Sequence, residues 1–320
     1  MTTSEGVLTL LKTNSSGISG EKIASVLNVS RNAVWKAIEE LRVKGYIIEA
    51  ASGRGYKLIA CRYMNLGTLQ ECFPKGVDIT FYDSVDSTND RAKQSAEKGC
   101  AEGSVFIAET QTRGKGRIGK SFYSPEGSGI YMSIVLRPKM PAAEALKITT
   151  CAAVAVSEAI ESVTDQKVGI KWVNDLFIGK KKICGILTEA SFNMENGGLD
   201  YAVLGIGVDV FSPRDGFGEL DSIAGAIFPF TENTGELRCR FAAEIYRRFF
   251  DLYANMGNDE MFEKYRRRLF ILGKYVSVIR SGSVRPAVVL GIEKNYNLIV
   301  RYENGEVESL SSGEISIIPE

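Results

Sequence analysis

The chain has 320 residues, 44% hydrophobic and 24% charged, with 39 Lys/Arg balancing 39 Asp/Glu and no histidine at all. That length allows two or three domains with a substantial core, and the absence of an apolar run of about 18 residues argues against a membrane span. The six cysteines are scattered without a C-x-x-C pair, which together with the missing histidine speaks against structural zinc and for reduced thiols.

The N-terminal stretch MTTSEGVLTLLKT has neither a basic n-region nor a long apolar core, so a cytoplasmic location is expected. Charge is unevenly spread: residues 1–62 hold nine Lys/Arg against five Asp/Glu, a surplus of four that the rest of the chain must offset. Such asymmetry points to a nucleic-acid-binding head on a chemically different body. Val7, Leu8, Leu10 and Leu11 form a first apolar stripe. Residues 19–22 (SGEK) open a short helix reaching Leu27, Asn28-Val29 makes a turn, and Ser30 caps a third helix with apolar Ala33, Val34, Ala37, Ile38 and Leu41. Short strands over residues 46–48 and 55–59 follow. This is the order of a winged helix-turn-helix, which places the start of its third helix in the DNA major groove. Ser30, Arg31 and Asn32 are the expected groove contacts, with Lys36 and Arg54 on phosphates. The same outline also serves small helical domains that bind protein.

From Asp78 the chain reads as a strand (ITFYDSV), a capped turn over residues 86–90 (DSTND) and a helix over residues 91–98. Residues 110–121, TQTRGKGRIGKS, then thread Arg113, Lys115, Arg117 and Lys120 between Gly114, Gly116 and Gly119. Glycines let backbone N–H groups converge on an anion and the cations balance its charge, a composition suited to phosphate. The string fits both GxxxxGK[ST] and GxGxxG, so context must discriminate. P-loops and dinucleotide folds require a helix next. Here a proline and two glycines follow, and then the apolar strand IYMSIVL. The loop therefore lies between two strands, SVFIAE and IYMSIVL. A kinase loop would need His-Arg-Asp, which a chain without histidine cannot supply. A solvated, positively charged hairpin tip has the same composition and stays open at this point.

A helix over residues 142–162 precedes VGIKWVNDLFIGKKKICGILTEA, which reads as strand, turn at Asn174-Asp175, short strand, turn at Gly179-Lys180 and strand. A plain meander fits that segment equally well. Helices over residues 236–255 and 259–268 lead to short strands, YVSVIR, AVVLGIEK, LIVRYE and VESL. Their turns, Ser281-Gly282, Asn295-Tyr296-Asn297 and Asn304-Gly305, give the pattern of a small β-barrel.

KWVND, residues 171–175, resembles the KWPND signature of biotin–protein ligases, and the glycine-rich loop resembles their GRGRRGR-W-S-P segment. DSTND resembles their DSTN turn, KKICGILTE their K-x-x-G-I-L-x-E strand and VLGIGVDV their G-x-G-x-N strand, while Gly313-Glu314-Ile315-Ser316 resembles their closing motif. With the N-terminal head added, the chain resembles the bifunctional biotin ligase and biotin-operon repressor family over nearly its whole length. The resemblance implies a multidomain α/β (α+β) protein. It would comprise a winged helix over residues 1–62, a mixed-sheet ligase domain like class II aminoacyl-tRNA synthetases over 63–270, and an SH3-like β-barrel over 271–320. It implies a biotin–[acetyl-CoA-carboxylase] ligase that uses ATP and Mg2+ to form biotinyl-5'-AMP and passes biotin to a lysine of a biotin carboxyl carrier domain. It also implies repression of biotin genes at operator DNA by a homodimer formed when the adenylate is bound. A carboxylate is already ionised at neutral pH, so adenylation needs positioning and charge neutralisation rather than a histidine base.

By position, Ser87, Thr88, Asn89 and Gln111 correspond to biotin contacts, and Gly114 and Lys115 to backbone that closes over the ligand. Arg117 corresponds to the arginine that retains the adenylate, and Lys182 to the lysine at the biotinyl carboxyl and phosphate. Gly185, Gly205 and Gly207 would line the pocket where side chains would collide with the bicyclic ring. Lys120, Lys171, Trp172, Asn174 and Asp209 fall on the nucleotide side, Trp172 packing beneath the site, with Asn174 and Asp175 organising magnesium and phosphate. Asp175 is also the candidate base for the incoming lysine, since an ammonium has no lone pair. Three departures stand out. Val173 replaces a proline and frees φ in the turn. Asp209 replaces an asparagine near adenine, and an ionised carboxylate cannot donate a hydrogen bond. Lys115 and Ile118 replace two arginines of the loop, which is expected to be a mobile lid ordered by ligand. A biotin sensor without catalysis is the rival reading, opposed by Arg117, Lys182 and Asp175; a lipoate ligase would need a histidine-containing motif.

Overall fold

The computed structural model describes residues 2–51, 55–192, 197–231, 234–280, 283–311 and 313–317. Helix α1 (Thr3–Thr13) opens with a capping box: the Glu5 N–H donates to the Thr2 hydroxyl, and the Thr2 N–H to the Glu5 carboxylate. Helix α2 (Gly20–Leu27) starts at the Ser19 cap and stops where Asn28 turns left-handed at φ +54°. Ser30 then caps α3 (Arg31–Val43). Val7, Leu11, Ile23, Val34, Ile38 and Leu41 close one small core among the three helices. Strands β1 (Tyr46–Ala51) and β2 (Gly55–Cys61) pair antiparallel as a two-stranded sheet after α3. β1 runs beyond the expected residue 48 because Glu49, Ala50 and Ala51 still find partners in Lys57, Tyr56 and Gly55. Gly55, at φ +75°, lies so close to the Ile18 carbonyl that a Cβ would come within 2.2 Å of its oxygen. The expected phosphate contact Arg54 and the Ser281-Gly282 turn lie outside the described residues.

The body begins with α4 (Leu66–Cys72), which the apolar pattern did not announce although Asn65 caps it through the Thr68 N–H. Strand β3 (Ile79–Val85), helix α5 (Thr88–Glu97), strands β4 (Val105–Gln111) and β5 (Gly129–Leu136), and helix α6 (Leu146–Val163) follow. Strands β6 (Gly169–Lys171), β7 (Asp175–Ile178), β8 (Lys181–Phe192) and β9 (Leu199–Asp209) complete a sheet ordered β3-β4-β5-β9-β8-β7-β6, in which only β3 and β4 run parallel. β5 is buried at every position, as its unbroken apolar run requires of a strand covered on both faces. Helix α6 is buried along most of its length, and its alanines let α7 (Gly235–Tyr253) approach closely. Helix α8 (Asp259–Arg266) leads to β10 (Tyr275–Arg280), β11 (Ser283–Ile292), β12 (Leu298–Tyr302), β13 (Val307–Leu310) and β14 (Glu314–Ile317). These form an antiparallel sheet ordered β13-β12-β11-β10-β14, so the closing motif is its edge strand. Among the described residues no helix is long and apolar enough to cross a membrane.

One buried ion pair ties the head's linker to the body. Arg238 on α7 and Glu109 on β4 meet at 2.7 Å with side chains 0% and 3% exposed. Arg238 also donates to the Gly129 and Arg62 carbonyls, and Glu109 accepts from the Met64 and Gly127 N–H groups. The linker passes so close to α7 that a Cβ on Gly235 would lie 2.1 Å from the Tyr63 carbonyl oxygen.

Candidate active site

A cavity of about 970 Å3 opens among the glycine-rich loop, the middle of the large sheet and the edge of the C-terminal sheet. It takes residues from Ser87 to Ser316, so segments far apart in sequence share one wall. Every residue expected at the site borders it except Gly114 and Trp172.

One end is neutral and polar. Helix α5 starts at Thr88 rather than Arg91, because Ser87 already has the extended backbone of a cap residue. The Ser87 hydroxyl makes no capping bond and borders the cavity instead. The Thr88 N–H and hydroxyl both donate to the Gln111 side-chain oxygen, at 2.9 and 3.1 Å, and the Gln111 amide donates to Ser124 at 2.9 Å. Ser133 on β5 donates to Thr88 and to Asn89, whose amide donates onward to Glu189. These bonds preorganise the socket.

The glycines line the cavity, as expected, and they also clear space for neighbouring side chains. A Cβ on Gly205 would lie 2.3 Å from the Asn89 side-chain oxygen, and one on Gly207 would lie 2.6 Å from the Phe122 ring. A Cβ on Gly185 would also meet that ring, at 3.3 Å. The missing side chains thus make room for Asn89 and Phe122, which in turn shape the cavity. Phe122 and Tyr131, edge to face at 6.4 Å, escaped the sequence reading, although an aromatic directly after the basic loop was a visible signal.

The other end is cationic. Lys182 meets Asp175 at 2.7 Å, and Lys171 approaches the same carboxylate at 3.6 Å. The antiparallel pairing of β7 with β8 brings Lys182 to Asp175, and that of β6 with β7 places Lys171 opposite the same residue. Asn174 is buried; its amide donates to Asp175 and to the Ile186 carbonyl, and its oxygen accepts from Arg117 at 2.9 Å. The second arm of Arg117 donates to the Gly313 carbonyl at 3.3 Å. The loop, expected as a mobile lid, is further tied by Lys115 to Asp90 and by Arg113 to Asp86. The Ser87 N–H, assisted by Arg91 and Arg113, holds the Asp86 carboxyl below the usual carboxylate range. Gly114 lies behind the loop, its carbonyl accepting from the Phe122 N–H. At the tip, Ile118 sits at φ +54° and 69% exposed, a left-handed conformation that is costly for a β-branched residue.

Trp172 is 2% exposed and lies beneath the site rather than in it, its indole donating 2.8 Å to the Tyr296 carbonyl. The Trp172–Val173 peptide is cis. The turn is not left loose by the missing proline, because the Tyr265 hydroxyl donates to the Val173 carbonyl at 3.0 Å. Asp209 borders the cavity, is 7% exposed, and receives no hydrogen bond or ion pair at its carboxyl among the described residues. Burial pushes that carboxyl well above its ordinary range, with Lys182 pulling the other way. That direction favours the protonated acid, the one form of this side chain that can donate a hydrogen bond.

In the head, Arg31, Asn32 and Lys36 are exposed along α3, while the Ser30 hydroxyl is engaged by the Ala33 N–H as a helix cap. Trp35, between them and 52% exposed, was not singled out from the sequence.

Residues 81–209 match the Biotin/lipoate A/B protein ligase family, and residues 4–57 match an HTH domain. The chain is similar to the bifunctional ligase/repressor BirA of Bacillus spizizenii, 39% identical over 217 residues, covering 66% of this chain and 66% of that one. BirA of Escherichia coli is 30% identical over 201 residues, covering 61% and 60%. The matched segments thus span just under two thirds of these relatives' length. The fold is similar to that of a biotin protein ligase from Aquifex aeolicus in complex with biotin and ATP, with a TM-score of 0.62 and 24% identity over 76% of this chain and 99% of that one. With its signature segments gathered around one cavity behind a helix-turn-helix head, the chain matches the biotin/lipoate A/B protein ligase family over residues 81–209 and is similar to bifunctional ligase/repressors over just under two thirds of their length.

Proposed function

We propose that this protein is an ATP-dependent biotin–protein ligase that also represses biotin genes. The observation that carries the reading is the polarity of the cavity. A neutral socket at Ser87, Thr88 and Gln111 faces a cluster containing Arg117, Lys171 and Lys182 across an apolar waist at Phe122. Biotin has the matching order: a neutral cyclic urea, an apolar ring and chain, and a carboxylate. In the first step an oxygen of that carboxylate attacks the α-phosphorus of ATP, the bond to the bridging oxygen breaks, and pyrophosphate leaves. Lys182 and Arg117 neutralise charge on the reacting oxygens, and Arg117 keeps the acyl-adenylate in place. Asp209, in the protonated form that its burial favours, would donate to the adenine. In the second step the lysine amine of a biotin carboxyl carrier domain, such as that of acetyl-CoA carboxylase, attacks the acyl carbon and AMP leaves. Asp175 is the proposed acceptor of the proton that this lysine gives up.

The hard oxygen donors on the phosphate side are Asn174 and Asp175, and Mg2+ commonly takes only one or two protein oxygens beside those of phosphates. These two residues would hold it, and it would supply further neutralisation of phosphate charge.

At finer detail we assign residues 1–62 to a winged helix, 63–270 to a ligase domain of the class II aminoacyl-tRNA synthetase type, and 271–320 to an SH3-like barrel. Arg31 and Asn32 would read operator bases and Lys36 a phosphate, in a cytoplasmic homodimer formed with bound biotinyl-AMP. Mass spectrometry of a carrier domain incubated with the protein, biotin and ATP tests the reading. A biotin-sized increment at one lysine is expected; an unmodified carrier with no biotinyl-adenylate formed would refute it.

A further inference from the structure

The hairpin turn between β11 and β12, at the tip of the C-terminal sheet, does not behave like a surface turn. Within it, Tyr296 adopts φ +66° and is 2% exposed, ranking with the most deeply buried large side chains among the described residues. The ring stands edge-on to Tyr265 at 5.4 Å and tilted against Phe262 at 5.7 Å, both on α8. Its carbonyl takes the indole proton of Trp172 at 2.8 Å, and no other hydrogen-bond partner of that indole occurs among the described residues. Tyr265, packed on Tyr296, donates in turn to the Val173 carbonyl. Two consecutive residues at the head of the site turn are therefore held from behind, one directly and one indirectly, by a residue of the C-terminal sheet.

The next two residues, Asn174 and Asp175, carry the contacts to Arg117, Lys182 and Lys171. The polar side has supports of its own, because Thr88 and Gln111 are held by each other and by Ser133 and Ser124, and the Ser87 N–H donates to Asp86. We propose that Tyr296 is a positioning residue for adenylation: its ring and its carbonyl fix the Trp172–Val173 backbone, and so place Asn174 and Asp175 against the cations of the phosphate side. The inference rests on the ligase reading above. The C-terminal sheet thus acts as a back wall of the phosphate side, and an aligned reacting geometry is what such a wall protects: displacement by about 1 Å can cost on the order of a hundredfold in rate.

The test uses the full-length chain and biotin-dependent exchange of labelled pyrophosphate into ATP. Tyr296→Ala removes the wedge and frees the carbonyl; the exchange rate should fall by about tenfold to a hundredfold and the KM for ATP should rise, while the KM for biotin stays within about twofold of the wild-type value because the urea socket is untouched. Tyr296→Phe keeps ring and carbonyl and should restore the rate. Trp172→Phe removes the donor together with part of a buried ring, and combining it with Tyr296→Ala should cost less than the sum of the two single losses, since both break one link. Wild-type exchange by Tyr296→Ala would overturn the inference. So would a loss in which both KM values rise together with collapse of the thermal transition, which marks a merely structural role. Absence of biotin-dependent exchange in the wild type would instead overturn the ligase reading, and this inference with it.

Discussion

Replacing Arg238 by methionine removes the cation from a pair that is almost entirely closed to water, with side-chain exposures of 0% and 3%. Glu109 would keep the N–H groups of Met64 and Gly127 but lose its one charged partner among the described residues. Breaking one member of such a pair costs about 3–5 kcal/mol, because the remaining charge stays buried. At roughly 2–4 °C per kcal/mol for a body of this size, the midpoint of thermal unfolding should fall by roughly 6–20 °C. Burial already pushes the Glu109 carboxyl up and Arg238 pulls it down, so the variant's folded state should hold the proton to higher pH still. A folded-state value above the unfolded one means stability is lost as pH rises between the two values. The deficit relative to wild type should therefore be smaller near pH 5 than near pH 8. Adding Glu109→Gln should recover part of the loss by removing the unpaired charge. Differential scanning calorimetry of the three proteins at both pH values provides the measurement. A midpoint within about a degree of wild type, or a double variant no better than Arg238→Met, would refute the assignment of this pair as the clamp between linker and body.

Asp209→Asn fixes a donor that the wild type holds only while protonated. Wild-type affinity for ATP, followed by calorimetric titration, should weaken as pH rises through the raised folded-state value of Asp209, and the asparagine variant should be flat over that range. The variant should also gain stability relative to wild type as pH rises, because the neutral folded acid binds a proton that the unfolded chain has released; parallel pH profiles would dismiss the role. In the head, Lys36→Ala should weaken operator binding equally across sequences and lower the salt slope by about one. Arg31→Ala should instead relax discrimination at one base pair by about 1–3 kcal/mol. Fluorescence anisotropy across a salt series separates the two, and identical behaviour of the variants would argue against α3 lying in the groove.

Much of the architecture was legible along the chain. Ser19 and Ser30 cap their helices, and Asn28 takes the left-handed turn between them, because these are local bargains between a short polar side chain and neighbouring N–H groups. The proline and glycines after the basic loop excluded a helix there, and β5 follows as a strand. Helix α4 was missed because its apolar stripe is too short to declare a period, leaving only the Asn65 cap as a signal. The start of α5 was placed late because Ser87 and Thr88 look like turn formers until Gln111 and Ser133 draw the Thr88 side chain inward.

Sequence alone determined the order of most elements, the strand-flanked setting of the basic loop and many, though not all, of the residues that border the cavity. Tertiary structure decided what supports that set and what those side chains have left to offer. Arg117 reaches Gly313 across 196 positions, Glu109 meets Arg238 across 129, and Trp172 finds Tyr296 across 124. None of these partnerships has a period or a spacing to betray it. They exist because a buried donor or charge must be satisfied by whatever group the fold brings within reach. The upward shift of the Asp209 carboxyl has the same origin, since a carboxyl's affinity for its proton depends on the water and cations around it, and only the folded chain sets those.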